Sequence, residues 1–239
     1  FMMGYGCAVP AIIGTRTSTS KKERIIVATV VAVAIPCASQ TGAFVALLGD
    51  RSLLLLITMF LLSLVFAFIA GWLVDRTLPG EQTPLLMEIP NFLVPEGKTV
   101  WKKVKNRTKS FMVEAELPML VGILLAAGFM ASVAVPLEPF LENWLGLPAE
   151  ASLALLLGFI RRELAVLPLL ELDLTTSQLF VGAVVALLYL PCLSVFSVLI
   201  KEFGLKIALT ISVTTIVLAL FVGGLFNQFF GMVRFILAM

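Results

Sequence analysis

This sequence predicts an all-α integral membrane fold: a polytopic helical bundle with two inverted repeats and discontinuous, re-entrant helices. Three observations predict it. The 239 residues are 60% hydrophobic and only 13% charged, with a mean hydropathy of +1.07, whereas soluble domains run at about 45–50% apolar and about 25% charged. The apolar residues gather in blocks of the roughly 20 residues needed to cross a hydrocarbon core. Two of those blocks are interrupted by the same dipeptide, Pro36-Cys37 and Pro191-Cys192. A disordered chain is excluded, since it needs low hydrophobicity and high charge.

The first block, residues 25–49, is broken at Pro36-Cys37, and a second, 53–74, follows after the short turn Asp50-Arg51-Ser52. Residues 117–135 form the third, 179–200 the fourth with its break at Pro191-Cys192, and 207–230 the fifth. Residues 4–14 are too short to span, and 151–172 carry Arg161-Arg162-Glu163 near their middle.

Basic loops tend to remain in the cytoplasm. Arg16, Lys21, Lys22 and Arg24 precede the first block; Lys98, Lys102, Lys103, Lys105, Arg107 and Lys109 follow the second. Both loops therefore belong on one side. Glu138, Glu142 and Glu150 mark an external loop after the third block. Glu171 and Asp173 without a base favour a segment 151–172 that dips in and returns. Residues 98–113 set Trp101, Val104, Thr108 and Phe111 on one helical face, as in a helix lying in the membrane interface.

Residues 28–37 read ATVVAVAIPC and residues 183–192 read AVVALLYLPC. Upstream of each lies a short interrupted segment with its own proline, Pro10 and Pro168. The connecting loop is basic in the first unit and acidic in the second, so the units are expected to insert in opposite senses, as in many transporters. Four regions follow: a first repeat over 1–74, a linker with the interfacial helix over 75–116, a span and external loop over 117–150, and a second repeat over 151–239.

The residue inventory narrows the chemistry. No histidine is present, which removes the usual general base and the commonest metal ligand. Gly97-Lys98-Thr99 resembles the end of a phosphate-binding loop, but position 92 is phenylalanine where that motif needs glycine; the segment reads as a turn entering a helix. No enzymatic activity, no bound cofactor and no nucleic-acid partner are expected.

Cys7, Cys37 and Cys192 each lie beside or near a proline. A proline in a membrane helix frees a backbone carbonyl one turn earlier, and a thiolate is a soft ligand suited to transition metals. One such cysteine reads equally well as a small buried apolar residue; three in this pattern read as the lining of a path. Arg162 and Glu163 are charges inside an apolar segment and are functional candidates by that fact; their opposite charges are expected to pair or to serve a gate. Glu88, Glu114 and Glu116 are candidates for a cytoplasmic mouth.

These motifs resemble a known family. Gly6-Cys7-Ala8-Val9-Pro10 followed by Thr15-Arg16 and Glu23-Arg24 is similar to the first gate region of FeoB-type ferrous iron transporters. Residues 83–90, Val94-Pro95 and Trp101 resemble that family's cytoplasmic stretch and amphipathic helix. Leu188-Tyr189-Leu190-Pro191-Cys192 resembles its second gate, and Arg162-Glu163 falls where it carries a Lys-Glu pair. The departures are Ala8 for a usual asparagine, and Pro36-Cys37-Ala38-Ser39-Gln40 where the family reads Ser-Cys-Gly-Ala-Arg.

The resemblance implies Fe²⁺ as the transported ion and uptake across the cytoplasmic membrane of a prokaryote. It implies Cys7, Cys37, Cys192 and Glu163 on the path, and Pro10, Pro36, Pro191, Arg162, Ser39 and Gln40 as gate or structural residues. The partners it implies are the lipid bilayer and a GTPase domain outside this chain, with a homo-oligomer left open; the chain, starting at Phe1, reads as part of something longer. The alternatives are a carrier of an organic solute such as a nucleoside, since similar gate repeats occur there, and a membrane scaffold subunit.

Overall fold

The computed structural model describes residues 2–18, 20–49, 52–79, 96–113, 144–148, 150–172, 174–189 and 191–237. The span expected over 117–135, most of its external loop, and Glu88, Glu114 and Glu116 lie outside them. Among the described residues there are helices and turns and no strand.

A 3₁₀ turn, Met2–Tyr5, leads into α1 (Ala8–Gly14). Helix α2 (Lys21–Val33) ends before Pro36, and α3 (Ala38–Leu48) restarts directly after Cys37. Proline at 36 cannot donate to the carbonyl four residues back, which is why the apolar run becomes two helices instead of one. The long α4 (Leu53–Thr77) follows. Helix α5 (Gly97–Phe111) begins at the glycine of the false phosphate loop, and Thr99 Oγ1 donates to Glu96 at 3.1 Å.

Residues 150–172 contain no long helix. They form α6 (Glu150–Leu157), a turn, and two 3₁₀ turns, Arg162–Ala165 and Leu167–Leu170. Helix α7 (Thr176–Leu188) opens with a capping box between Thr175 and Gln178 and stops before Pro191; α8 (Leu193–Phe203) restarts after Cys192. Gly204, at φ 88°, supplies the left-handed corner that only glycine adopts without strain. It joins α8 to α9 (Leu205–Leu237).

Four helical stretches among the described residues are long and apolar enough to cross a membrane: Lys21–Leu48, Leu53–Thr77, Thr176–Phe203 and Leu205–Met232. Two of the four are thus broken helices. Outward-facing side chains on α9 recur at every fourth position, Leu205, Leu209, Val213, Val217, Phe221, Leu225 and Phe229. Positions four apart stand above one another on a helix, and the apolar character of this exposed stripe suits lipid rather than water. Helix α4 presents Leu54, Leu61, Phe68 and Trp72 in the same way.

The two broken helices run antiparallel. Arg24, in the first turn of α2, donates to Glu202 Oε2 at 2.9 Å, in the last turn of α8. Arg16 Nε donates to the other carboxylate oxygen at 2.8 Å. At the same end Lys22 meets Asp75, on the last turn of α4, at 2.9 Å.

The buried side chains divide accordingly. One cluster joins α1, α2, α8 and the start of α9 through Val9, Ile12, Val31, Val198, Leu199 and Ile211. The other joins α3, α7, residues 145–169 and the middle of α9 through Phe44, Leu48, Leu169, Phe180, Val184 and Val222. The breaks fall between the two clusters. Helix α9 packs closely on α7 because Gly223 carries no side chain: a Cβ there would lie 2.4 Å from Val185 Cγ2.

Candidate functional site

Each break leaves backbone groups that a continuous helix would have paired. The last carbonyls of a helix have no intrahelical donor, and buried ones must find a partner elsewhere. At the end of α2 the orphans are Ala32, Ala34 and Ile35. Ala34 O accepts from Ser63 Oγ of α4 at 2.7 Å. Ala32 O, the carbonyl that Pro36 leaves vacant, accepts from the Arg162 guanidinium, whose other terminal nitrogen reaches Ile35 O at 3.5 Å.

At the end of α7, Ala186 O accepts from Gln40 Nε2 at 2.8 Å. The two caps are reciprocal. A side chain following the second unit's interruption serves the first break, and one following the first break serves the second. The restarts are alike too: Ala38 N donates to Gly6 O at 3.1 Å, and Leu193 N donates to Phe159 O at 2.9 Å. In each unit the interrupted segment upstream thus holds the first N–H of the helix downstream.

Cys7, Cys37 and Cys192 occupy equivalent positions, the N-caps of α1, α3 and α8, and none makes a side-chain capping hydrogen bond. They are not in disulfides. All three line one cavity of about 180 Å³, together with Ser39, Arg162, Glu163 and Ser194. That is room for roughly a dozen water molecules at the minimum volume each needs. Arg162 is within Coulombic reach of all three thiols. Among the described residues no group of three acidic, cysteine or histidine side chains is close enough to hold a metal ion.

The expected site residues therefore separate into groups. Cys7, Cys37, Cys192, Arg162, Glu163 and Ser39 come together at the cavity. Pro36 and Pro191 are buried within the breaks. Pro10 is the third residue of α1, where its missing N–H would have had no partner, so it continues that helix and does not interrupt it. Gln40, fully buried, stands behind the cavity as the cap of Ala186.

The pairing expected between Arg162 and Glu163 does not occur. Glu163 meets Arg161 instead, at 3.4 Å, and no carboxylate among the described residues pairs with Arg162. Adjacent positions on a helical turn point in different directions, so residues 162 and 163 diverge, while Arg161 is extended and precedes the turn. Arg162 is 4% exposed, and its Nε has no partner among the described residues.

Sequence reasoning missed two features. Ser63 is a lone polar residue in an apolar helix, which is a signal, but nothing near it in sequence names its partner. The clasp of Arg16 and Arg24 on Glu202 joins positions 178 and 186 residues apart. The charge pattern set Arg16 and Arg24 on one side and named no partner for them.

A family model described as "Ferrous iron transport protein B C terminus" matches residues 56–107, and one described as "Nucleoside recognition" matches residues 118–206. The "Fe(2+) transporter FeoB" of Synechocystis sp. is 26% identical over 90% of this chain and 40% of its own length. Those of Escherichia coli K12 and Salmonella typhimurium are 30% and 29% identical over 53% of the chain and 17% of their own lengths. This chain thus spans well under half the length of these relatives. No solved structure matches it. The two family models in succession along the chain, and the relative that covers nearly all of it, support an FeoB-type C-terminal transmembrane domain.

Proposed function

We propose that this chain conducts a divalent transition metal, Fe²⁺, toward the cytoplasm through the cavity where the two helix breaks meet. The observation that carries the reading is the convergence of Cys7, Cys37 and Cys192 on that cavity, each at a helix N-cap. Cysteine sulfur is a soft donor suited to a transition-metal cation. Backbone carbonyls at the breaks and the Glu163 carboxylate supply harder oxygen donors. A small cation passed among mixed, incomplete ligand sets is held without being trapped, which conduction requires.

The relatives' name supports iron as the cargo. In the same reading the chain sits in a prokaryotic cytoplasmic membrane with its clustered bases, from Arg16 to Lys206, on the inner face. Its two broken units are inverted repeats, and a GTPase domain elsewhere drives or gates them.

The test is ⁵⁵Fe²⁺ uptake into proteoliposomes under reducing conditions, for the native protein and its Cys37→Ser and Cys192→Ser variants. Uptake by the native protein that falls about tenfold or more in both variants is expected, since outer coordination changes alone cost 10–100-fold in metal sites. Undiminished uptake in the double variant overturns the thiol path.

A further inference from the structure

Arg162 presents a problem that the proposed path does not solve. A buried guanidinium needs its charge compensated and its donors satisfied. This one has no carboxylate among the described residues, and its Nε is buried without a partner. What holds it is the C-terminal end of a half-helix: Ala32 O, freed by Pro36, and Ile35 O. Such an end carries partial negative charge, and the unwound carbonyls of broken membrane helices are the groups that coordinate transported cations. A positive charge is therefore already seated where the α2 break would receive one, within reach of all three thiols.

We propose that Arg162 is a tethered cation that fills the carbonyl site of the α2 break in the empty protein, and that a free cation enters that site only by displacing it. The displaced guanidinium swings toward the cavity, where Glu163 stands. Ions bound too weakly to compete are rejected, so Arg162 sets a threshold of charge density for the path. The contrast with the second break is informative. There Gln40 donates a neutral amide N–H to Ala186 O, so no charge is seated on that carbonyl. The direction of metal flow and the identity of the cargo rest on the function proposed above; the occupancy of the site by Arg162 does not.

The experiment compares the native protein with Arg162→Gln, which retains a donor for Ala32 O but no charge, and with Arg162→Lys, which retains the charge. Mn²⁺ serves as an air-stable probe, read by protection of the cavity thiols from maleimide. Guanidinium chloride at millimolar concentration serves as a second probe, read by thermal stabilisation. Arg162→Gln is expected to bind Mn²⁺ roughly tenfold more tightly, within the usual range of coupling between sites, and to be stabilised by free guanidinium. Arg162→Lys is expected to stay near the native affinity.

A glutamine variant that gains neither Mn²⁺ affinity nor guanidinium stabilisation overturns the proposal, even if the native protein transports iron. Stabilisation by guanidinium with no binding of Mn²⁺ or Fe²⁺ upholds the tethered cation and removes the metal cargo. Should Arg162→Gln not fold, the native protein decides: phenylglyoxal labelling of Arg162, resolved by mass spectrometry, should rise as Mn²⁺ is added. Labelling indifferent to Mn²⁺ overturns displacement.

Discussion

Glu202→Gln removes the charge that joins the first unit to the second at the basic end. Glu202 lies in the last turn of α8 with its side chain 4% exposed and accepts from Arg16 Nε at 2.8 Å and Arg24 at 2.9 Å. Arg24 is also stacked 5.5 Å from the Phe203 ring, and its Nε is buried without a partner. Removing one partner of a fully buried pair costs about 3–5 kcal/mol, but Arg16 is half exposed, so its share is screened. The buried share, one charge-assisted hydrogen bond to Arg24, is worth about 1.5–3 kcal/mol.

Glu202→Gln should therefore lower stability by about 2 kcal/mol, or roughly 4–8 °C in Tm for a chain of this size. The measurement is thermal unfolding in detergent, as a double-mutant cycle with Arg24→Gln. Coupling of at least about 1 kcal/mol is expected for groups in one network. Lys22→Gln provides the comparison, because its partner Asp75 is far more exposed and such pairs contribute about 0–1 kcal/mol. Additive effects of Glu202→Gln and Arg24→Gln, or an equal loss from Lys22→Gln, would refute the reasoning that this clasp holds the two units together.

Three further outcomes are expected. Gln40→Leu leaves Ala186 O buried without a donor and should cost about 1–3 kcal/mol; an unchanged denaturation midpoint would mean that the second break needs no cap. Gly223→Ala pushes a methyl into Val185 and should cost about 1–3 kcal/mol through overpacking, which thermal unfolding reads directly. Helix α5 carries Trp101 at 70% exposure and its described side chains all face outward. A peptide of residues 97–113 should bind vesicles of anionic lipid with a blue shift of Trp101 emission, and each Lys→Gln change should weaken binding by about 1 kcal/mol. Equal binding to neutral vesicles would count against an interfacial helix.

Much of this arrangement is legible one residue at a time, and the illegible part has a common cause. Apolar length predicts the spanning stretches because lipid leaves the backbone no partner but itself. Pro36 and Pro191 predict the breaks because the lost N–H is a property of the residue. The glycine, lysine and threonine at 97–99 are correctly read as a helix start, for want of the glycine that a phosphate loop requires. Cys7, Cys37 and Cys192 stand out in the sequence by their nearness to prolines, and in the structure all three line one cavity.

Arg162 marks the limit. Its sequence neighbour of opposite sign suggested a pair, yet the backbone at 162–165 turns the guanidinium toward α2, some 130 residues earlier in the chain, and Glu163 toward Arg161. By itself the sequence determined that this is a helical membrane domain, where its helices break, and which end is basic, for these follow from local hydropathy, proline chemistry and charge. Only the tertiary structure decided which side chain answers each buried carbonyl, because such a group is satisfied by whatever donor packing brings near: Ser63 of the same unit for Ala34, and a side chain of the other unit for Ala32 and Ala186.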